Sequence, residues 1–376
     1  MKGVEPRVVG GCALFLAALF ACGTRSNEPS PTVEAEEEPV ETALDPQKRV
    51  AAPEPKEVPA AVPNPTRVVL VTLDGVRWED VLGATPETST SAMPNLHRLV
   101  KDRGVAYGGA GCENDVRASG PNFVSLPGYV EIFTGKAPVC QHNNCPNIDS
   151  ETIVDEARAT SHREADVAVF SSWNRYSAAV AKDRKAIVLS AGARTIKLAA
   201  AKEDDKLRSF LVEGAASAGY PGWGDYRKDE HTAKVALRYL ETKTPRLLVI
   251  GLGDADEQAH RGDIAGYRRA ITRADDMLGE LDRTLGRMGD DGAETAVIVT
   301  TDHGRAKNLF NHGAVAPESA RVWIAAFGAG ITHQGVTCAP EPMRLAHVAG
   351  AVRQLLGIDS ELESGPLADA MLVRGP

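Results

Sequence analysis

Six Asp and His residues have the side chains and the spacing of a metal-binding site: Asp74, Asp256, His260, Asp302, His303 and His312. Asp256 and His260 are four residues apart, a spacing that places both on one face of a helix. Asp302 and His303 are adjacent and directly follow a strongly apolar run. Carboxylate oxygens and neutral imidazole nitrogens are ligands of zinc and related divalent ions. Together these residues predict a site for divalent metal ions.

Ser125 is the candidate nucleophile. It stands at the start of Ser-Leu-Pro-Gly-Tyr-Val-Glu-Ile-Phe-Thr-Gly, a pattern that predicts a helix. Pro127 falls in the first turn, where its missing N–H costs no hydrogen bond. The free backbone N–H groups at a helix start favour an anionic group such as a phosphoryl group. The alternative is a Ser that only caps the helix, a role that is compatible with catalysis.

The elements that position these residues follow from the pattern of apolar residues. Short β-branched runs predict strands over residues 67–73, 166–170, 186–189, 246–250, 295–300 and 322–327. Amphipathic patterns predict helices over residues 95–101, 129–133, 231–242, 264–287 and 344–356. Strands that alternate with helices pair in parallel and carry helices on both faces of the sheet. The predicted fold class is therefore α/β, a three-layer sandwich with a mostly parallel central sheet.

Three of the predicted strands end next to candidate ligands. Asp74 follows the strand 67–73, Asp256 lies shortly after the strand 246–250, and Asp302 follows the strand 295–300. Ligands of such sheets bind beyond the carboxyl ends of the strands. We therefore expect these side chains to meet at one edge of the sheet.

These motifs resemble the alkaline phosphatase superfamily, and within it the nucleotide pyrophosphatase/phosphodiesterase-like enzymes. The resemblance covers most of residues 66–376 and includes, in order, VTLDG with Asp74, SLPGYVEIFTG with Ser125, DADEQAH with Asp256 and His260, TTDHG with Asp302 and His303, and NHG with His312. It implies two zinc-like ions, one held by Asp74, Asp302 and His303 and the other by Asp256, His260 and His312. Manganese and iron are the alternative metals.

The resemblance also implies a reaction. Phosphate mono- or diesters would be cleaved through a phosphoseryl intermediate on Ser125. Asn147 lies in a segment that loosely matches the phosphate-binding pattern of the family, and Lys136, Arg117 and Arg305 are candidate cations for the second charge of a monoester. Sulfatase activity is disfavoured because the C-x-P-S-R type motif of sulfatases is absent from the sequence.

Three other functions compete with this hypothesis. A phosphomutase or phosphotransferase of the same superfamily would use the same metal ligands. A tethered binding lipoprotein with an inactive site is a second alternative, although the full set of ligands argues against decay. A dinucleotide-binding oxidoreductase is a third, but Gly251-Leu252-Gly253 is only a fragment of the glycine pattern that such proteins carry after their first strand.

The N-terminus predicts export. Lys2 and Arg7 precede a short apolar run that ends at Cys22, which is typical of a signal covering residues 1–22. Residues 19–22, Leu-Phe-Ala-Cys, resemble a bacterial lipoprotein box and imply a lipid on Cys22; a plain secretory signal is the alternative. Residues 23–65 are rich in Pro and Glu and predict a disordered tether before the catalytic domain of residues 66–376. We expect a protein of the bacterial periplasm or cell surface with a lipid anchor.

Charge and cysteine content narrow the function further. The formal net charge of −9 argues against nucleic-acid binding, which depends on clustered Lys and Arg residues. In an exported domain, Cys140 and Cys145 could close a short disulfide loop and leave Cys112 and Cys338 as the other pair, although spacing alone leaves the connectivity open. A zinc site made of four cysteines is not expected, because paired C-x-x-C units are absent from the sequence.

Overall fold

A computed structural model describes residues 66–83, 92–194, 198–217, 224–359 and 365–373. The predicted signal (1–22), with its lipid on Cys22, and the predicted tether (23–65) lie outside these residues, so they remain predictions, as does the start of the domain at residue 66. Within the described residues, no helix is both long and apolar enough to cross a bilayer.

Eleven strands are present in the described residues: β1 (Arg67–Leu73), β2 (Gly104–Tyr107), β3 (Val116–Arg117), β4 (Val167–Ser171), β5 (Val188–Ala191), β6 (Leu247–Leu252), β7 (Thr295–Thr300), β8 (Arg321–Val322), β9 (Ile324–Gly328), β10 (Gly335–Val336) and β11 (Met343–Arg344). Eight of them form one sheet in the order β10-β2-β9-β7-β1-β6-β4-β5. The strands from β7 to β5 in this order are parallel, whereas β9 runs antiparallel to both β7 and β2. The sheet is therefore mostly parallel, as predicted.

The helices of the described residues are α1 (Trp78–Leu82), α2 (Pro94–Arg103), α3 (Ser125–Thr134), α4 (Ile153–Ala159), α5 (Ser177–Val180), α6 (Asp205–Ala216), α7 (Asp229–Lys243), α8 (Asp254–His260), α9 (Ile264–Arg287), α10 (Asp290–Ala293), α11 (His347–Leu355) and α12 (Gly365–Met371). Short 3₁₀ turns lie at Glu164–Asp166, Asn174–Tyr176, Ala199–Lys202, Gly313–Val315 and Pro317–Ala320.

The central strand β1 shows how the layers form. Successive side chains of a strand point to opposite faces of the sheet. Val68 and Leu70 belong to an apolar core that includes α3, α4 and α11, whereas Val69 and Val71 belong to a second core that includes α2, α7 and α9. A strand buried on both faces requires helices on both sides. The predicted three-layer α/β sandwich is thus confirmed.

Trp323 interrupts the strand that was predicted over residues 322–327. Its side chain is fully buried, and its Nε1 donates a hydrogen bond to the carbonyl of Val76 at 3.0 Å. Residues on its two sides join different sheets: β8 pairs in a small sheet of order β11-β3-β8, and β9 pairs in the main sheet. The apolar run alone does not reveal this break, because Trp is as compatible with a strand as its neighbours are.

Two disulfides join loops around the sheet. Cys112 bonds to Cys338, with 5.3 Å between their Cα atoms, and Cys140 bonds to Cys145, with 5.9 Å between theirs. The structure thus resolves the connectivity that the spacing left open.

Candidate metal centre

The three central strands end in register. In the parallel pairing, Thr72 of β1 lies opposite Gly251 of β6 and Thr300 of β7. The residues that follow these strands therefore emerge side by side at one edge of the sheet. This register brings Asp74 and Asp302 together with the start of α8, the helix that carries Asp256.

One group of side chains surrounds His303. Its Nε2 lies 3.5 Å from Asp74 Oδ1 and 3.6 Å from Asp302 Oδ2, and the His303 and Asp302 side chains are fully buried. Ser125 lies in the same group: its Oγ donates a hydrogen bond to Asp74 Oδ1 at 3.2 Å and is 3.4 Å from His303 Nε2. The predicted nucleophile thus contacts two of the predicted ligands.

A second group forms around Asp256. Its Oδ2 lies 3.1 Å from His260 Nε2, and its Oδ1 lies 3.9 Å from His312 Nε2. Asp256 Oδ1 is also 4.0 Å from His303 Nε2, so the carboxylate stands between the two groups. All six predicted ligands therefore belong to one continuous cluster.

Backbone groups determine the orientation of the imidazoles. His303 Nδ1 lies 2.8 Å from the carbonyl of Gly304, and His312 Nδ1 lies 3.0 Å from the carbonyl of Phe123. Because a carbonyl only accepts, each Nδ1 must carry the proton and donate it. In the neutral ring the lone pair then lies on Nε2, and it points into the cluster. Metal-binding histidines are typically oriented in this way.

Hydrogen bonds also hold the carboxylates of Asp74 and Asp302 in place. Tyr129 donates its hydroxyl proton to Asp74 Oδ2 at 2.7 Å. The backbone N–H groups of Gly75 and His303 both donate to Asp302 Oδ1, each at 3.0 Å. Asp302 Oδ2, in contrast, is buried without a hydrogen-bond partner among the described residues.

These features fit divalent cations. Buried acceptors are normally satisfied, so Asp302 Oδ2 and the inward lone pairs of the imidazoles call for a positive charge between them. Burial raises the pKa of Asp302 to about 8, and burial together with the charges of Asp302 and Asp256 raises the pKa of Asp74 well above its usual range. Carboxylates so close together are stabilised by bound cations, and the mixture of oxygen and nitrogen donors suits a divalent transition-metal ion.

Arg305 pairs with Asp256. Its side chain is fully buried, its Nη1 contacts Asp256 Oδ1, and its Nε donates to the carbonyl of Leu309 at 2.6 Å. Burial alone would raise the pKa of Asp256, but the Arg305 guanidinium lowers it, and the net effect is a pKa well below the usual range. Arg305, a predicted candidate for phosphate charge, is thus engaged with a ligand carboxylate.

Asp229 fixes the start of α8, a role that was not predicted. Its Oδ1 accepts a hydrogen bond from the backbone N–H of Gly253, and its Oδ2 accepts one from that of Asp254, each at 2.8 Å. Tyr226 donates to Asp254 Oδ1 at 2.9 Å. Contacts between distant segments of this kind leave no local signal in the sequence.

A cleft of about 450 Å³ opens over the cluster. Besides Ser125 and several of the ligands, the lining residues include Asn143, Asn144, Trp173, Arg175, Tyr226 and Glu257. Arg175 and Asn143 were not predicted. Arg175 follows β4, so the rule that placed Asp74 at the end of β1 would also have pointed to it.

Other predicted substrate-binding residues lie elsewhere. Asn147 is exposed in the segment after Asn143 and Asn144, which line the cleft. Lys136 and Arg117 are also exposed, and Arg117 pairs with Asp115 at 3.4 Å. Asn147 is thus not among the residues that line the cleft, and its role as a phosphate ligand stays a prediction.

Comparison with known proteins agrees with this geometry. Residues 202–360 match the model of the Metalloenzyme superfamily, a segment that contains five of the six ligands, all except Asp74. The structure of murine ectonucleotide pyrophosphatase/phosphodiesterase 5 in complex with AMP is similar, with a TM-score of 0.54 and 13% identity over 81% of this chain and 100% of that chain. The fold is alkaline phosphatase-like. The resemblance to the alkaline phosphatase superfamily, predicted from the motifs, is therefore confirmed.

Two further structures with the alkaline phosphatase-like fold show its breadth. A 2-O GAG sulfatase aligns with a TM-score of 0.53 and 12% identity over 84% of this chain and 76% of its own. The lipoteichoic acid synthase LtaP from Listeria monocytogenes aligns with a TM-score of 0.51 and 13% identity over 79% of this chain and 73% of its own. No curated protein sequence matches the chain. Alkaline phosphatase-like metalloenzymes hydrolyse phosphate and sulfate esters.

Proposed function

We propose that this protein is a metal-dependent hydrolase of phosphate esters, with Ser125 as its nucleophile. The observation that carries the proposal is the position of Ser125 Oγ in the cleft, 3.2 Å from Asp74 Oδ1 and 3.4 Å from His303 Nε2. A hydroxyl held among metal-binding side chains at a helix start has the surroundings of an activated nucleophile.

We propose the division of the metal-binding residues that the motifs imply. Asp74, Asp302 and His303 would hold one ion next to Ser125, and Asp256, His260 and His312 would hold the other. Bound zinc ions would supply the positive charge that favours the Ser125 alkoxide and neutralises the phosphoryl oxygens. Manganese and iron are the alternatives.

The chain's own residues position the reacting groups. Asp74 Oδ1 accepts the hydrogen bond of Ser125 and orients Oγ toward the cleft, while Tyr129 keeps Asp74 in place. Attack by Oγ forms a bond to phosphorus and breaks the bond to the leaving oxygen. The proton lost from Oγ passes to solvent, and the leaving alkoxide takes up a proton from solvent and departs as the alcohol. Water then cleaves the bond between Oγ and phosphorus and regenerates Ser125.

The charges that line the cleft support a diester rather than a monoester as the substrate. A monoester brings a second negative charge that requires an additional cation. Among the described residues that line the cleft, the cationic side chain is Arg175, and its guanidinium donates to the carbonyls of Asn143 and Cys145. Arg305 is paired with Asp256, and Lys136 and Arg117 are exposed elsewhere. We therefore propose a phosphodiester as the substrate class.

Hydrolysis of three nitrophenyl esters tests the proposal. The purified protein, treated with chelator and then loaded with zinc or manganese, should cleave bis-nitrophenyl phosphate faster than nitrophenyl phosphate, and nitrophenyl sulfate slowest. Faster sulfate cleavage would make the protein a sulfatase. Absence of metal-dependent turnover with all three esters would refute the hydrolase proposal.

We further propose that the enzyme acts outside the cytoplasm and that a lipid anchor attaches it to the membrane. The predicted signal and lipoprotein box support this location, and the two disulfides suit an oxidising compartment. Mass spectrometry of the membrane-extracted protein should find an N-terminal acylated Cys22, and a Cys22→Ser variant should leave the membrane fraction. An unmodified N-terminus in the cytoplasm would contradict the location.

A further inference from the structure

The loop closed by the Cys140–Cys145 disulfide lies against the nucleophile segment; we call residues 140–145 the disulfide loop. We propose that the disulfide loop is a positioning element that holds Ser125 in place through Asn143 and His312 in place through Asn122. The proposal rests on the proposed function for its catalytic consequence, but its structural part is independent of any activity.

Asn122 joins the disulfide loop to the segment that carries His312. Its backbone N–H donates to Gln141 Oε1 at 3.0 Å, and its Nδ2 donates to the carbonyl of Gln141 at 2.7 Å. On its other side, Asn122 Oδ1 accepts the backbone N–H of Ala314 at 2.8 Å. Each polar group of the side chain is thus used to connect two loops.

The contact with the His312 segment is close. Gly313, between His312 and Ala314, has a φ of +84°, and a Cβ at that position would lie 2.8 Å from Asn122 Oδ1. Glycine therefore permits both the backbone conformation and the approach. His312 itself donates from Nδ1 to the carbonyl of Phe123, the neighbour of Asn122. The position of this imidazole depends on the segment that the disulfide loop holds.

Asn143 connects the same loop to the nucleophile. Its Oδ1 accepts the backbone N–H of Leu126, the residue after Ser125, at 2.9 Å. Arg175 also holds the disulfide loop. Its Nε donates to the carbonyl of Asn143 at 3.4 Å, and its Nη2 donates to the carbonyl of Cys145. The disulfide loop thus reaches both the nucleophile helix α3 and the strand β4, after which Arg175 lies.

The disulfide determines whether the loop keeps this shape. A dithiol would reduce the Cys140–Cys145 bond to two thiols and would itself be oxidised to a cyclic disulfide. Cys140 is partly exposed and next to the exposed Val139, so a reductant can reach it. The short loop would then be free to open, and the contacts of Gln141 and Asn143 would lose their constraint.

The chain offers a matched control in its other disulfide. Cys112 and Cys338 are 226 residues apart in sequence, whereas Cys140 and Cys145 are five apart. A cross-link that closes a long loop restricts the unfolded chain more than one that closes a short loop. Loss of Cys112–Cys338 should therefore lower the melting temperature more, and loss of Cys140–Cys145 should affect the site more.

Amide hydrogen exchange of the metal-free protein tests the structural part. In a Cys140→Ser/Cys145→Ser variant, the amides of Leu126 and Ala314 should exchange at least about tenfold faster than in the wild type, because their acceptors are no longer held. In a Cys112→Ser/Cys338→Ser variant they should change much less. Equal exchange at Leu126 and Ala314 in the wild type and the first variant would overturn the proposal, whether or not the protein hydrolyses any ester.

Kinetics with the zinc-loaded protein test the catalytic part. The Cys140→Ser/Cys145→Ser variant should have a kcat for bis-nitrophenyl phosphate about tenfold lower than the wild type. Asn122→Asp, which keeps the acceptor for Ala314 but removes the side-chain donor to the carbonyl of Gln141, should also lower kcat. Because both changes weaken the Asn122 link, adding Asn122→Asp to the Cys140→Ser/Cys145→Ser variant should lower kcat by a smaller factor than it lowers that of the wild type. If the two factors by which kcat falls multiply in the combined variant, the disulfide does not act through Asn122, and the proposed link is overturned.

Discussion

His260 and His312 face each other through their Nε2 atoms at a distance of 3.0 Å, although one lies on α8 and the other on the loop after β7. His312 donates from Nδ1 to a backbone carbonyl, so its Nε2 carries the lone pair of the neutral ring. His260 can carry a proton on its Nε2, between the two rings, because its hydrogen bond to Asp256 raises the pKa of His260. A proton on His260 Nε2 would lie between the two rings, at the place that a cation would take.

Zinc binding should therefore release this proton. Because the raised pKa of His260 keeps the ring protonated to higher pH, zinc must compete with the proton, and the zinc affinity should fall as the pH falls from 8 to 6. A competition titration with a chromophoric chelator measures the affinity at each pH. In a His260→Gln variant the affinity should be lower and should depend less on pH; an unchanged pH dependence would contradict the assignment.

Ser125→Ala should abolish turnover while the fold and the metal content remain. Loss of the nucleophile should lower kcat by roughly 10³-fold or more, because the attacking oxygen is removed. Initial rates and elemental analysis of the purified variant measure the two quantities. A phosphoryl group trapped on Ser125 of the wild type, detected by mass spectrometry, would support the intermediate. Full activity of the variant would exclude Ser125 as the nucleophile.

Tyr129→Phe should weaken the site through Asp74. The variant removes only the hydroxyl that donates to Asp74 Oδ2, and loss of such a supporting hydrogen bond typically costs about 10–100-fold in metal affinity or activity. Tyr176→Phe is the matched control, because the Tyr176 hydroxyl lies 2.9 Å from Thr72 Oγ1 in the same core. Zinc affinity and kcat of the two variants should differ clearly; equal values would mean that Asp74 does not need this hydrogen bond.

Asp302 should make the metal-free protein less stable at high pH. Burial raises its pKa to about 8 in the folded state, against roughly 3.9 when unfolded, so the folded state binds more protons between these values. The stabilisation is complete below about pH 4 and is lost as the pH rises through about 8.

Melting temperatures of chelator-treated protein at pH 5 and pH 8 measure this effect. The wild type should melt at a lower temperature at pH 8, and Asp302→Asn should reduce that difference because its side chain carries no charge. Zinc should restore the stability of the wild type at pH 8 but not that of the variant. The same pH difference in both proteins would count against the raised pKa.

The predictable part of the site consists of residues at strand ends. Asp74 and Asp302 were placed correctly because a run of β-branched residues determines where a parallel strand stops, and neighbouring strands end at the same edge. The helix of residues 264–287 was also predicted at its observed bounds, since its apolar stripe is long and regular.

The remaining features depend on contacts between distant segments. Arg305 and Asp256 are 49 residues apart, and only the fold shows that the guanidinium pairs with a ligand. The antiparallel pairing of β9 was missed because its apolar run carries no mark of strand direction. The sequence likewise does not distinguish Asn122 from any other loop residue, because its partners lie on two distant loops.

The register of β1, β6 and β7 also determines where the chain can change length. One residue deleted from β1 would shift Asp74 by about 3.3 Å and would turn each displaced side chain of the strand to the other face of the sheet. Insertions or deletions in these three strands should therefore be excluded among natural variants. The segment between Asp302 and His312 follows a strand rather than continuing it, so its length can vary wherever the imidazole still reaches Asp256.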